Sequence, residues 1–173
     1  MVAVNDAAYL APWAQYLYAR DLQWWDIHHP WVETYFHGER WTGSPEAHRK
    51  YALRYIKTVT AKGIIMQPDT IADGGAEGAN SGYQAIGFAL KRGAKRILLI
   101  GFDMGITGKG HFFGLHPHPL TNVEQNEYAP FAKAFDALPP ALLVAGIQCE
   151  IVNCSRKSAI GAFRFSCVQD ELL

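Results

Sequence analysis

The sequence predicts an α/β domain: a mostly parallel sheet with helices on both faces. Short apolar, β-branched stretches alternate along the chain with segments of helical spacing, as in strand–helix–strand units. One stretch, Arg96 to Gly101 (RILLIG), is a continuous apolar run of the kind a central parallel strand buried on both faces requires. Polar residues stand directly after the apolar strands, at Asn5, Asp21, Asp103 and Asn153.

Taken in order, Met1 to Val4 reads as a buried strand that Asn5-Asp6 ends. Ala7 to Trp13 allows one or two helical turns, and Tyr16 to Ala19 is a second short strand closed by Arg20-Asp21. Leu22 to Phe36 has helical spacing with an interruption expected at Pro30, since proline removes an internal N–H. His37 to Pro45 is turn-rich. Arg49 to Val59 is ambiguous, with Tyr55, Ile56 and Val59 favouring a strand at its end. Ile64 to Met66 is another strand candidate, and Asp73 to Asn80 is a loop of glycines and small residues.

From Ser81 the pattern is helical: Tyr83, Ile86 and Leu90 share a face, and Gly93 stands where a C-terminal cap glycine belongs. RILLIG follows, then a polar loop from Gly105 to Asn122. Glu124 to Leu138 reads as a helix broken by Pro139-Pro140, and Cys149 to Val152 as the last strand. Right-handed crossovers bring parallel strand ends to one edge, where α/β sheets take their ligands. Asn5, Asp21, Asp103 and Asn153 are expected there, beside Asn80-Ser81-Gly82.

The composition narrows the function. The 173 residues suit one domain spanning 1–173, and 49% are hydrophobic. Sixteen basic residues balance sixteen acidic ones, so no overall field draws nucleic acid or a membrane surface. Cys149, Cys154 and Cys167 lack paired spacing and read as free thiols of a reducing cytoplasm. No apolar run reaches the roughly 18–20 residues of a membrane span. All five Trp fall in the first quarter, which predicts an aromatic core or an interface there, and with it a homo-oligomer.

Several residues could carry chemistry. Asn80-Ser81-Gly82 offers a helix cap and backbone N–H groups, which make either a plain cap or an anion site. His111, His116 and His118 share the loop after RILLIG. They suit a general base or acid, a metal, or simple exposure. His28, His29 and His37 lie among Trp residues and read as packing or surface groups. Asp21 and Asp103 suit substrate contact or strand-end caps. Asn153, Ser155 and Ser158 in NCSRKS suit phosphate or sugar contacts, or an ordinary polar turn.

VNDAAYLAPWAQYLYARDLQWWD, NSGYQAIGFALKRGAKRILLIGFDM, the His-rich loop and GIQCEIVNCSRKSAIGAF resemble, in that order, a group of uncharacterised phage and prophage proteins. That group is similar to bacterial single-domain sialyltransferases and to 6-hydroxymethylpterin pyrophosphokinase-like proteins. The resemblance implies a Rossmann-like fold and a nucleotide-dependent, glycosyltransferase-like enzyme in the cytoplasm of a bacterial host. By resemblance Asn5 contacts the nucleotide, Ser81-Gly82 the donor, and Asn153, Ser155 and Ser158 the donor or acceptor. His116 is the counterpart of the general base, with His118 or His111 as alternates. The relatives begin with a further strand, a Gly-rich loop and a helix, so the resemblance implies that this first element is lacking here. No cofactor is firmly implied; a nucleotide-sugar donor is compatible with the resemblance. Mg²⁺ enters only for a diphosphotransferase, with Asp21 and Asp103 as its ligands. A non-catalytic binding or assembly protein on an eroded transferase fold is the other alternative.

Overall fold

The computed structural model describes residues 1–105, 114, 116–118, 120, 122 and 128–173. It is a mixed α/β structure in which every paired strand is parallel to its neighbour. Strands β1 (Val2–Val4), β2 (Tyr16–Tyr18), β3 (Glu39–Thr42) and β4 (Arg54–Tyr55) lie side by side in chain order. Ile56 alone separates β4 from β5 (Lys57–Val59), which pairs with β6 (Thr70–Ala72). The run 54–59 thus passes its pairing from β3 to β6: Ile56 N donates to Thr42 O, and Lys57 N to Asp69 O. Strands β7 (Arg96–Leu99) and β8 (Glu150–Asn153) form a separate pair.

The period of two in a strand sorts the first sheet into two faces. Val2, Val4, Tyr16, Tyr18 and Trp41 point to one side, with Ile56 and Ile71, and pack against Ala85 and Phe88 of helix α4 (Ser81–Lys91). Ala3, Leu17 and Ala19 point to the other, with Trp24, Trp25 and Val32 of helix α2 (Leu22–Tyr35). Short helices α1 (Ala7–Leu10) and α3 (Pro45–Tyr51) add Ala8 and Ala47 to that second core. Helices therefore cover both faces, as the sequence predicts.

Helix α4 is buried on two sides. Its opposite flank, Tyr83 and Ile86, enters a third core with Leu99 of β7 and Ile151 of β8. Helix α5 (Tyr128–Ala134), a 3₁₀ turn at Phe135–Ala137 and helix α6 (Leu138–Val144) complete that core. Asn80 starts α4 by accepting from Tyr83 N at 2.8 Å, and Gly93 at φ +82° ends it. A short helix α7 (Val168–Leu172) closes the chain.

Several local expectations are corrected. RILLIG is not central: β7 pairs with β8 alone among the described residues, and Ile100 beyond it is 61% exposed. Leu99 is buried and Ile97 packs on the third core, so that core is built from alternate residues of the run. Pro30 does not interrupt α2; it is accommodated inside the helix. Ile64 to Met66 is loop, and the strand lies at Thr70–Ala72 instead. HGERWTG, read as turn-rich, contains β3. Pro139-Pro140 begin α6, because proline suits a helix's first turn, where no internal N–H bond is lost. The expected helical residues 124–127 lie outside the described residues, as do 106–113.

Candidate functional site

The turn after β1 builds a buried polar cluster. Asn5 adopts φ +50°, a left-handed conformation that asparagine tolerates better than most residues. Its N–H donates to Tyr18 O and its carbonyl accepts from Ala8 N, which turns the chain from β1 into α1. The turn leaves Asn5 Oδ1 buried without a hydrogen-bond partner among the described residues. It also carries the next residue, Asp6, under the aromatic cluster.

Asp6 is the centre of the site. Its side chain is 9% exposed, and Oδ2 accepts from the Trp24 indole N–H at 3.1 Å. Two histidines face the same carboxylate. His28 Nε2 lies 3.7 Å from Oδ1, and His116 Nδ1 lies 3.7 Å from Oδ2. These are ion-pair distances, longer than hydrogen bonds; catalytic contacts often tighten only when substrate is bound.

Each histidine is held by a different element. His28 comes from α2, where Trp24, four residues earlier, stacks on its ring at a centroid distance of 4.6 Å. Its Nδ1 meets the Tyr9 hydroxyl of α1 at 2.7 Å. His116 comes from the loop after β7. Asn122 brackets its backbone, accepting from His116 N at 2.7 Å and donating to His116 O at 3.3 Å. Leu120 packs on the Trp24–Trp25 core and anchors the segment there.

Burial pushes the His28 imidazole below its ordinary range. The Asp6 charge opposes that shift, and His116 adds to it. The folded protein therefore binds this proton less tightly than the unfolded chain. Stability contributed by neutral His28 is fully present above the ordinary imidazole value near 6.5 and is lost as pH falls toward the lower folded value. We expect the thermal midpoint to drop on acidification below about pH 6.5. The drop should be shallower in His28→Asn. His29, also shifted down by burial, remains in both proteins and cancels in the comparison. Parallel profiles would show that His28 contributes no such linkage.

The other sequence-predicted residues are placed as follows. Asn80 spends its side chain on the protein, capping α4 and donating to Gly78 O at 2.8 Å. Ser81 and Gly82 form the first turn of α4, whose N–H groups have no acceptor within the helix. A Cβ on Gly82 would stand 2.9 Å from Phe102 Cε1, so the glycine also lets the segment after β7 approach α4. Asn153 is buried, donating to Ile160 O and accepting from Ser155 N. Ser155 Oγ accepts from Phe102 N at 2.8 Å, and Ser158 Oγ donates to Phe102 O at 2.6 Å. Asp103 contributes its carbonyl to Ala159 N.

The NCSRKS loop thus clips itself to the end of β7 with the hydroxyls that the sequence offers to a ligand. Asp21 is exposed at the start of α2, and His118 is exposed beyond the turn. His111 lies outside the described residues.

His116 faces Asp6, the chain neighbour of Asn5, across 110 positions of sequence. Asp6, His28 and Tyr9 were not singled out by sequence reasoning as functional residues. Asp6 looks like the end of a strand, and His28 among tryptophans looks like packing, which it also is. Among the described residues no group of three or more His, Cys, Asp or Glu is arranged to hold a metal ion. No helix there is long and apolar enough to cross a membrane. No protein-family profile, curated protein or solved structure matches the chain.

Proposed function

We propose that the protein is a nucleotide-dependent transferase of the glycosyltransferase-like kind, on a Rossmann-like variant of its α/β fold. The observation that carries this reading is the Asp6–His116 pair beyond the C-terminal end of β1. A carboxylate facing Nδ1 favours a proton on that nitrogen and leaves Nε2, on the far side of the ring, as the basic one. His116 then takes the proton of an acceptor hydroxyl as that oxygen attacks the donor, and Asp6 stabilises the imidazolium that forms.

Asn5 supports the donor side of the reading. A buried acceptor without a partner is costly, and a ligand N–H or O–H would satisfy it. Helix α4 packs on β1, and its first turn at Ser81-Gly82 supplies N–H groups suited to a donor phosphate.

The test pairs binding with turnover. A thermal-shift panel of nucleotides, nucleotide sugars and pterins should yield nucleotide-sugar hits, since a ligand at 100 times its dissociation constant stabilises by about 2.7 kcal/mol. With the donor found, His116→Ala should lower the transfer rate about 10²–10⁴-fold. Asp6→Asn should lower it as well. Unchanged turnover in His116→Ala would end the assignment of the base. Hits from ATP with Mg²⁺ would move the reading to diphosphotransfer.

One observation favours a second reading, a binding or assembly protein that associates with itself. Tyr9 and Tyr35 are exposed on either side of Trp31, with Leu10 and Trp13 exposed beyond Tyr9, and exposed apolar patches often mark interfaces. A silent ligand panel together with concentration-dependent light scattering would select it.

A further inference from the structure

The Asp6 cluster reaches the surface at Tyr9, which is 41% exposed. The phenol oxygen lies 2.7 Å from His28 Nδ1, and the other ring nitrogen, Nε2, lies 3.7 Å from Asp6 Oδ1. A neutral imidazole carries one proton, so one nitrogen donates and the other accepts. An ionised carboxylate offers only acceptors. The buried Nε2 faces that carboxylate and has no nearer hydrogen-bond partner among the described residues. A proton on Nε2 turns the contact into an attraction, whereas a lone pair there would face the carboxylate's own lone pairs. Nδ1 is then the acceptor, and the group beside it with a proton to give is the Tyr9 hydroxyl.

We propose that Tyr9 is a tautomer lock: its hydroxyl donates to His28 Nδ1, holds the His28 proton on Nε2, and so makes His28 the donor that fixes Asp6 in place for His116. The catalytic meaning of the lock rests on the reading of His116 as the base. The tautomer itself follows from the geometry around His28.

Three features support the assignment. Burial, and after it the Asp6 charge, hold the Tyr9 phenol above its ordinary range, so it keeps the proton it donates. Among the described residues the titratable groups that face His28 are Asp6, Tyr9 and His116, and burial favours the neutral ring in their midst. The ring is also gripped: Trp24 stacks on one face at an interplanar angle of 28°, and Tyr9 meets it edge-on at 72°. Tyr9 and His28 are positioning residues, acting through Asp6. Trp24 Nε1 holds Oδ2 by a hydrogen bond, and His28 Nε2 faces Oδ1 at 3.7 Å, close enough for a proton there to attract it.

Imidazole ¹⁵N–¹H correlation spectra of the free protein at neutral to mildly alkaline pH test the lock without any substrate. The wild-type spectrum should show His28 in the Nε2–H form. Tyr9→Phe should lose that single form and gain Nδ1–H. The Trp24 indole N–H resonance reports whether the site remains folded in the variant. An Nδ1–H tautomer of His28 in the wild-type protein overturns the proposal whether or not the variant folds. An Nε2–H form that persists unchanged in Tyr9→Phe overturns it as well. The transferase reading fails separately, through a silent donor panel or undiminished turnover in His116→Ala.

Discussion

Trp25→Ala is expected to remove about 3–5 kcal/mol of folding stability. Trp25 is fully buried, and its indole N–H donates to Ala19 O at 2.9 Å. Its ring meets Trp24 edge-on at 5.1 Å and packs in the core that also holds Ala3 of β1 and Leu17 of β2. Truncation opens a large cavity among side chains that cannot all collapse into it. It also strands the Ala19 carbonyl, worth about another 1–3 kcal/mol if no water reaches it. A domain with a typical reserve of about 5–15 kcal/mol would lose a large share of its stability. Trp25→Phe separates the contributions, since it keeps much of the volume and loses the hydrogen bond. Chemical denaturation of the three proteins measures both. A loss under about 1 kcal/mol in Trp25→Ala would mean that this core repacks freely, against the behaviour of dense interiors.

The second large effect belongs to Gly38, just before β3. A Cβ there would stand 2.2 Å from Ala14 O and 2.5 Å from Gln15 O, both main-chain atoms. No side-chain rotation relieves such a contact, so the backbone must part. The adjacent bond from Glu39 N to Gln15 O, at 2.9 Å, sets the start of the β2–β3 register. Gly38→Ala should therefore cost about 1–3 kcal/mol in overpacking and about 1 kcal/mol more for the bond it displaces. Gly93→Ala is the control. Gly93 has φ +82° with nothing within 4 Å of a Cβ, so that variant carries only the left-handed strain of about 1–2 kcal/mol. Equal losses in the two variants would show that the Gly38 contact is relieved at little cost.

What could be read from the sequence depended on how local its cause was. Helix α4 was legible because its cap, its apolar face and its terminal glycine lie within one short segment. Strands β1, β2, β7 and β8 were legible as apolar runs. The placement of β7 was not, because continuous hydrophobicity reports burial and does not name the neighbours. Strand β3 was hidden by its composition: Glu39 and Arg40 occupy half of it, and glycines flank it on both sides. Glu39 is nevertheless suited to its place, since it accepts from the Trp41 indole N–H at 2.8 Å.

The candidate site divides in the same way. Asn5 and His116 were marked by position after a strand and by residue type. Asp6 and His28 acquire a role only through each other, across 22 residues of chain. The hydroxyls of Ser155 and Ser158 have the chemistry of ligand contacts, yet their hydrogen bonds go to Phe102, 53 and 56 residues away. Residue type tells what a side chain can bind. Which partner it binds is decided by tertiary structure.

The order of strands in the first sheet also bears on how the protein is made. Strands β1 to β4 are laid down beside one another in the order in which they leave the ribosome, and α2, which emerges between β2 and β3, covers one face. The other face, with Tyr18, Trp41, Ile56 and Ile71, has its cover in Phe88 and Ala85 of α4. Until residues 81–91 emerge, a nascent chain that has already paired its strands carries this aromatic surface uncovered. Synthesis therefore passes through an interval in which the half-made protein is more adhesive than the finished one. A pause before residues 81–91 have left the ribosome would lengthen that interval, and a pause after they have left it would not.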